Sequence, residues 1–192
     1  MGAARDGKRL CLILGGVRSG KSTFAESRAA AHPGPVTYLA TARPTDAEMR
    51  ARIAAHRRNR PASWITVEAP DTVPEALRRA GAQPGLVLLD CLTNFVANLM
   101  TTRPHEHYED PPPEELQAVE QRVGLAIQDL LEAYTAGCAD LIIVSNEVGL
   151  GVVPPYALGR IYRDALGRAN MAVAAVADEV YWMVAGLPLR IK

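Results

Sequence analysis

Residues 15–23 read GGVRSGKST. Gly15, four residues, then Gly20, Lys21 and Ser22 is a spacing suited to holding a nucleotide phosphate. Glycines let the backbone N–H groups of Gly16, Val17, Arg18 and Ser19 curl around phosphate oxygens. Lys21 then bridges those oxygens, Ser22 can ligate Mg²⁺, and the N-terminus of the helix that follows offers the positive end of its dipole. The loop stands where this mechanism needs it, directly after the apolar run CLIL and before a helical stretch. The pattern says that a phosphate is held. It leaves open whether a phosphoryl group moves, a nucleotide moves, or the energy only changes the protein's shape.

A carboxylate that organises Mg²⁺ is expected at the end of another strand, and LVLLD supplies Asp90. A strand-end Asp serves equally well as a helix cap or turn residue, so Asp90 is a candidate for the metal. No N-K-x-D guanine signature occurs, which disfavours a regulatory GTPase.

His56 is the second chemical candidate. In TDAEMRARIAAHRRNRP, Met49, Ile53 and His56 follow i, i+4, i+7 spacing, which puts the imidazole on the apolar stripe of a helix. Arg43, Arg50, Arg52, Arg57, Arg58 and Arg60 surround it in sequence. Cationic neighbours disfavour imidazolium and leave a neutral ring nitrogen able to attack phosphorus, and they also attract a triphosphate. Spacing alone favours a structural histidine under a basic helix over a nucleophile. His105 and His107 lie in a polar, proline-rich stretch, 101–115, that reads as a flexible insertion, and His32 precedes a Pro-Gly turn.

Six short apolar runs supply the frame: 11–15, 36–40, 64–67, 86–90, 141–145 and 180–184. They alternate with amphipathic segments, which predicts an α/β fold whose mostly parallel central sheet is covered by helices on both faces. The clearest helix follows Pro112, with Leu116, Val119, Val123, Ile127, Leu130 and Tyr134 on one face and Gly137 as its C-terminal cap. TDAE places an N-cap at Thr45 with Glu48 three residues on, and a further helix is expected over 156–177. There is no repeat or linker, so 1–192 reads as one P-loop nucleotide-binding domain.

The 192 residues suffice for a substantial core, and 21 basic residues balance 21 acidic ones, so global charge does not invite nucleic acid or an anionic membrane. No run approaches the roughly 18 apolar residues of a membrane span. Cys11, Cys91 and Cys138 lack C-x-x-C spacing and read as reduced residues of a cytoplasmic protein.

LILGGVRSGKSTFAE, VTYLATA, DAEMRARIAAHRRNRPASWITVEAP, LVLLDCLTNFVANLM, VSNEVGLGVVP and the C-terminal stretch from Gly159 together resemble one family. It is the bifunctional adenosylcobinamide kinase/adenosylcobinamide-phosphate guanylyltransferase family of cobalamin biosynthesis, and the segments occur in family order over nearly the whole chain. The resemblance implies two reactions. ATP or GTP gives its γ-phosphoryl group to the aminopropanol hydroxyl of adenosylcobinamide; GTP then gives GMP to the resulting phosphate, through a guanylylated histidine that matches His56, and pyrophosphate leaves. Lys21 would serve both. The resemblance further implies nucleotide contacts from the P-loop, from Thr41, Ala42 and Arg43, from Arg60, Pro61, Ala62 and Ser63, and from Glu68 and Asp90. It implies a RecA-like P-loop fold and a homotrimer. Against it stand a P-loop kinase of another small molecule with a structural His56, and a RecA-like ATPase subunit that works on a partner.

Overall fold

The computed structural model describes residues 7–58, 60–101 and 112–192, without the side chains of Glu48, Arg52, Ala55 and His56. Its centre is a seven-stranded sheet: β1 (Leu10–Gly15), β2 (Val36–Ala40), β3 (Ile65–Glu68), β4 (Leu86–Asp90), β5 (Asp140–Val144), β6 (Glu179–Val184) and β7 (Leu187–Arg190). The spatial order is β3-β2-β4-β5-β1-β6-β7, parallel throughout except for the last pair. All six strands expected from the apolar runs are present. β7 is an addition. Its LPLR sequence is short, carries a proline and is exposed along its length, so it has none of the periodicity of a buried strand.

The inner strands are buried on both faces, which is why they read as continuous apolar runs. Period-two alternation divides their side chains. Leu10, Leu12, Leu39, Val87, Leu89, Leu141 and Ile143 join a large core with α3 (Val73–Ala80), α4 (Leu92–Thr101), α5 (Pro113–Ala136) and α6 (Ala157–Val176). Cys11, Ile13, Tyr38, Leu88, Ile142 and Val144 face the other way, against α1 (Lys21–Ala30). The helices therefore cover both faces.

α5 and α6 occupy the expected ranges, and Val119, Val123, Ile127 and Leu130 are buried as their spacing requires. Gly137 does follow α5, but in an extended conformation. A Cβ there would come within 2.9 Å of the Gly81 carbonyl oxygen, so close backbone approach explains the glycine better than a left-handed cap does. The cap of α2 (Ala47–Arg58) is Asp46 and not Thr45: the Asp46 carboxylate accepts the Met49 N–H at 2.7 Å. The helix starts one residue later than the capping box at Thr45 requires, and the Thr45 hydroxyl turns to the Asp46 carboxylate instead. Residues 102–111 of the expected insertion lie outside the described residues, while Thr101 ends α4 and Pro113 begins α5.

No described residue of α2 is buried, and Met49 and Ile53 are half-buried. The apolar stripe is thus a shallow one. Among the described residues no helix is long and apolar enough to cross a membrane.

Candidate active site

The phosphate loop leaves the C-terminal end of β1 and enters α1 through backbone that only particular residues adopt easily. Gly15 has φ 154°, Arg18 φ 57° and Gly20 φ 92°. A Cβ on Gly15 would stand 2.7 Å from both the Met183 carbonyl oxygen and Ser19 Oγ, so this glycine is required by space as well as by φ. Gly16, Val17 and Arg18 are exposed and form the open lip of the loop, whereas Ser19 and Lys21 are buried. Ser22 and Thr23 follow in the first turn of α1. That turn begins with Phe24 N–H donating to the Gly20 carbonyl at 2.9 Å, and the amides ahead of it have no helical partner. An anion is the natural acceptor for them.

Two distant segments hold the loop from outside. Glu147 N–H, just after β5, donates to the Gly15 carbonyl at 3.1 Å. Gly186 N–H, in the β6–β7 turn, donates to the Ser19 carbonyl at 3.0 Å. Neither support is visible in the spacing of the loop itself.

Lys21 is 8% exposed, and its Nζ donates to the Gly16 carbonyl oxygen at 2.6 Å. Burial pulls its pKa below the ordinary lysine value, partly opposed by Cys91 and the Asp90 carboxylate. Asp90, at the C-terminal end of β4, thus belongs to the electrostatic surroundings of the loop lysine. The next residue, Cys91, has its thiol pushed up to about 11, mainly by burial and then by Asp90, so it stays protonated near neutral pH.

Thr41 is fully buried at the end of β2. Its Oγ1 accepts the Cys91 N–H and donates to the Cys91 carbonyl, each at 2.8 Å, while its own N–H donates to the Asp90 carbonyl at 3.2 Å. Thr41 thus fixes the turn after Asp90 rather than presenting its hydroxyl to a ligand. Asn98 Nδ2 in turn donates to the Thr41 carbonyl at 2.8 Å. Ala42 is half-buried beside it, and Arg43 is paired with Asp71.

The Tyr38 hydroxyl donates to Asp90 Oδ2 at 2.7 Å, and the guanidinium of Arg60 lies over the Tyr38 ring, with Cζ 3.3 Å from the centroid. Burial and the neighbouring carboxylate push the Tyr38 phenol far up, so it is a permanent donor. Arg60 Nε is buried and has no acceptor among the described residues. Pro61, Ala62 and Ser63 form an exposed turn closed by Trp64 N–H on the Pro61 carbonyl at 3.0 Å. Glu68 is exposed at the end of edge strand β3, two strands out from Asp90.

The backbone of His56 belongs to α2; its side chain lies outside the described residues. The described arginines of that helix, Arg50, Arg57 and Arg58, are exposed. Farther on, Arg168 pairs with Glu120 at 2.5 Å, and buried Asn170 donates to the Asn146 carbonyl at 3.0 Å. The 163–170 stretch therefore braces α5 and the end of β5.

The structure joins Asp90, Tyr38 and Arg60 by direct contact, and sets Asp90 and the Lys21 loop at the C-terminal ends of the parallel strands β4 and β1. Sequence reasoning missed Tyr38, Glu147 and Gly186. For Tyr38 the available signal was a polar tip inside the apolar run VTYLA, which asks for a buried partner.

The family model for cobinamide kinase / cobinamide phosphate guanyltransferase matches residues 11–191. The bifunctional adenosylcobalamin biosynthesis protein CobU of Escherichia coli K12 is 39% identical over 183 residues, covering 95% of this chain and 99% of that protein. The Salmonella typhimurium LT2 protein of the same name is also 39% identical, with the same coverage. The bifunctional adenosylcobalamin biosynthesis protein CobP of Pseudomonas aeruginosa PAO1 is 41% identical over 181 residues, 94% of this chain and 96% of that one. A mostly parallel seven-stranded sheet, a complete phosphate loop and similarity running from β1 to the last residues agree: the chain belongs to the cobinamide kinase / cobinamide phosphate guanylyltransferase family, and is a bifunctional kinase and guanylyltransferase of adenosylcobalamin biosynthesis.

Proposed function

We propose that one phosphate cradle serves both reactions, with His56 as the group that distinguishes them. In the kinase reaction the loop and Lys21 hold the β and γ groups of ATP or GTP. The aminopropanol hydroxyl of adenosylcobinamide attacks the γ-phosphorus, its oxygen forms the new P–O bond, and the nucleoside diphosphate leaves. In the second reaction a ring nitrogen of His56 attacks the α-phosphorus of GTP and pyrophosphate departs into the same cradle. The phosphate of adenosylcobinamide phosphate then displaces the histidine, giving adenosylcobinamide-GDP. Lys21 and the amides of residues 16–20 stabilise the charge that develops on the leaving oxygens in both cases.

The observation that carries this reading is that Lys21, Asp90 and the exit of β2 toward the His56 helix all stand at one edge of the sheet. At that edge a single nucleotide can meet both an incoming hydroxyl and an incoming imidazole. In this reading Arg60, with a buried donor unclaimed among the described residues, contacts nucleotide oxygens, and the exposed turn 61–63 borders it. Thr41 to Arg43 and Glu68 complete the proposed nucleotide surround, with Thr41 acting through the Asp90 turn.

Ser22 and Asp90 offer a hydroxyl and a carboxylate, the hard oxygen donors that Mg²⁺ accepts. Among the described residues there is no cluster of three or more His, Cys, Asp or Glu able to cage a metal. Ser22 and Asp90 would hold such an ion through one or two protein oxygens. When bound, Mg²⁺ supplies neutralising charge on the β and γ oxygens. The chain acts in this reading as one nucleotide-binding domain of a cytoplasmic homotrimer. Its three free cysteines suit a reducing compartment.

The test is protein labelling. Purified protein with Mg²⁺ and GTP labelled at the α- or the γ-phosphate is denatured in alkali, with His56→Ala alongside. Alkali-stable, acid-labile label from α-labelled GTP alone, absent from the variant, is the expected result. No label in protein that still binds GTP would return His56 to a structural role and leave a small-molecule kinase.

A further inference from the structure

Tyr38 is 2% exposed on β2, between β3 and β4. Its partner on β4 is Leu88, so Asp90, two residues on, points to the same face one diagonal step away. The phenol bridges that step at 2.7 Å, while the ring face carries the Arg60 guanidinium at 3.3 Å. A phenylalanine would fill the same apolar volume; the hydroxyl adds only the bond to Asp90. One buried side chain thus touches, with its tip, the strand end beside Lys21 and, with its face, the segment that leaves α2. Arg60 is four residues beyond His56. The Arg60–Tyr38 stack therefore lies two residues beyond the C-terminal end of α2.

We propose that Tyr38 is a positioning residue that sets the balance between the two reactions: its hydroxyl orients Asp90 for the phosphate cradle used by both, and its ring holds Arg60 so that the α2 segment stands over that cradle for guanylyl transfer. The proposal rests on the reading of His56 given above. Its two halves separate by chemistry. Loss of the hydroxyl disturbs Asp90 and hence both reactions, whereas loss of the ring also frees the segment that only one of them needs.

The experiment compares wild type, Tyr38→Phe, Tyr38→Leu and Arg60→Ala. It measures uptake of α-label from GTP, γ-phosphoryl transfer to cobinamide, GTP binding without metal, Mn²⁺ binding to the protein–GTP complex by electron paramagnetic resonance, and Tm. In Tyr38→Phe, metal-free GTP binding stays within about twofold, Mn²⁺ binding weakens about tenfold, and the ratio of α-label uptake to kinase rate is retained; tenfold is the worth of one hydrogen bond to a charged group. Tyr38→Leu shows the same metal defect, and its ratio falls by about tenfold or more. Arg60→Ala loses the ratio similarly at saturating GTP and Mn²⁺, while its metal-free GTP binding also falls because Arg60 is itself a proposed nucleotide contact. This variant lies in a loop and reads the ring half even where Tyr38→Leu fails to fold.

Normal Mn²⁺ binding in Tyr38→Phe overturns the hydroxyl half. An unchanged ratio in Tyr38→Leu and Arg60→Ala overturns the ring half. Wild-type protein that runs the kinase reaction but takes up no α-label overturns the histidine reading and the balance claim together, and the Mn²⁺ measurement then judges the Tyr38–Asp90 half alone.

Discussion

Lys21 Nζ donates a 2.6 Å hydrogen bond to the carbonyl oxygen of Gly16, so the lysine that awaits a nucleotide is tethered to the loop that will hold it. The tether compensates only in part for burial, since the pKa of Lys21 is lowered. A buried cation without its anion is a cost to the ligand-free fold.

Lys21→Met is therefore expected to raise the Tm of the ligand-free protein while cutting both activities by about a hundredfold or more. The pH dependence follows from linkage. Between the lowered folded pKa of Lys21 and the ordinary value of 10.5 the unfolded chain binds more protons, so wild-type stability rises with pH across that window. The advantage of Lys21→Met is full below the window and shrinks on rising through it. Thermal melts from pH 7 to pH 10 check this, and a variant less stable than wild type at pH 7 would contradict it.

His56→Ala should lose guanylyl transfer by roughly a thousandfold or more, the scale of removing a nucleophile, and keep appreciable kinase activity. Separate assays with α- and γ-labelled GTP measure the two. Equal loss of both would mark the histidine as structural.

Asp90→Asn keeps an oxygen that can accept the Tyr38 hydroxyl and removes the charge. Its Mg²⁺ midpoint for phosphoryl transfer should rise about tenfold or more, with Tm little changed. An unaltered Mg²⁺ titration would remove Asp90 from the metal's surroundings.

Gly15→Ala must place a methyl 2.7 Å from Met183 O and Ser19 Oγ at a φ of 154°. We expect a loss of about 2 kcal/mol or more in stability and no detectable GTP binding. Denaturant unfolding and GTP titration test the two effects independently. Normal GTP binding would show that the loop relaxes at no functional cost.

What was legible in the sequence follows from how locally each feature is determined. The inner parallel strands announce themselves because burial on both faces forces continuous apolar runs, and the phosphate loop because its glycines and lysine act within nine consecutive residues. α4 escaped notice because LTNFVANLMT is apolar on most sides, with six of its ten residues buried, which leaves no stripe to read. α3 is only eight residues long. The cap of α2 moved by one residue because Thr45 and Asp46 offer competing acceptors, and only geometry decides between them. The Tyr38–Asp90–Arg60 contact joins residues 22 and 52 positions from Tyr38, and it exists only because β2 and β4 pair in one particular register. No local pattern encodes a register between strands with another strand and two helices between them in the chain.

The place of β1 in the sheet bears on how the protein is made. β1 pairs only with β5 and β6, and the loop carbonyls of Gly15 and Ser19 are held by Glu147 and Gly186. The phosphate loop is thus synthesised before the strands and backbone donors that, among the described residues, hold it from outside, all of which come after residue 139. β2, β3 and β4 pair among themselves and can assemble earlier. The nascent chain consequently carries a complete phosphate-binding sequence from residue 23 to residue 139 without the strands that frame it. A product truncated before β5 would be inert toward GTP and would not compete with the finished enzyme for it.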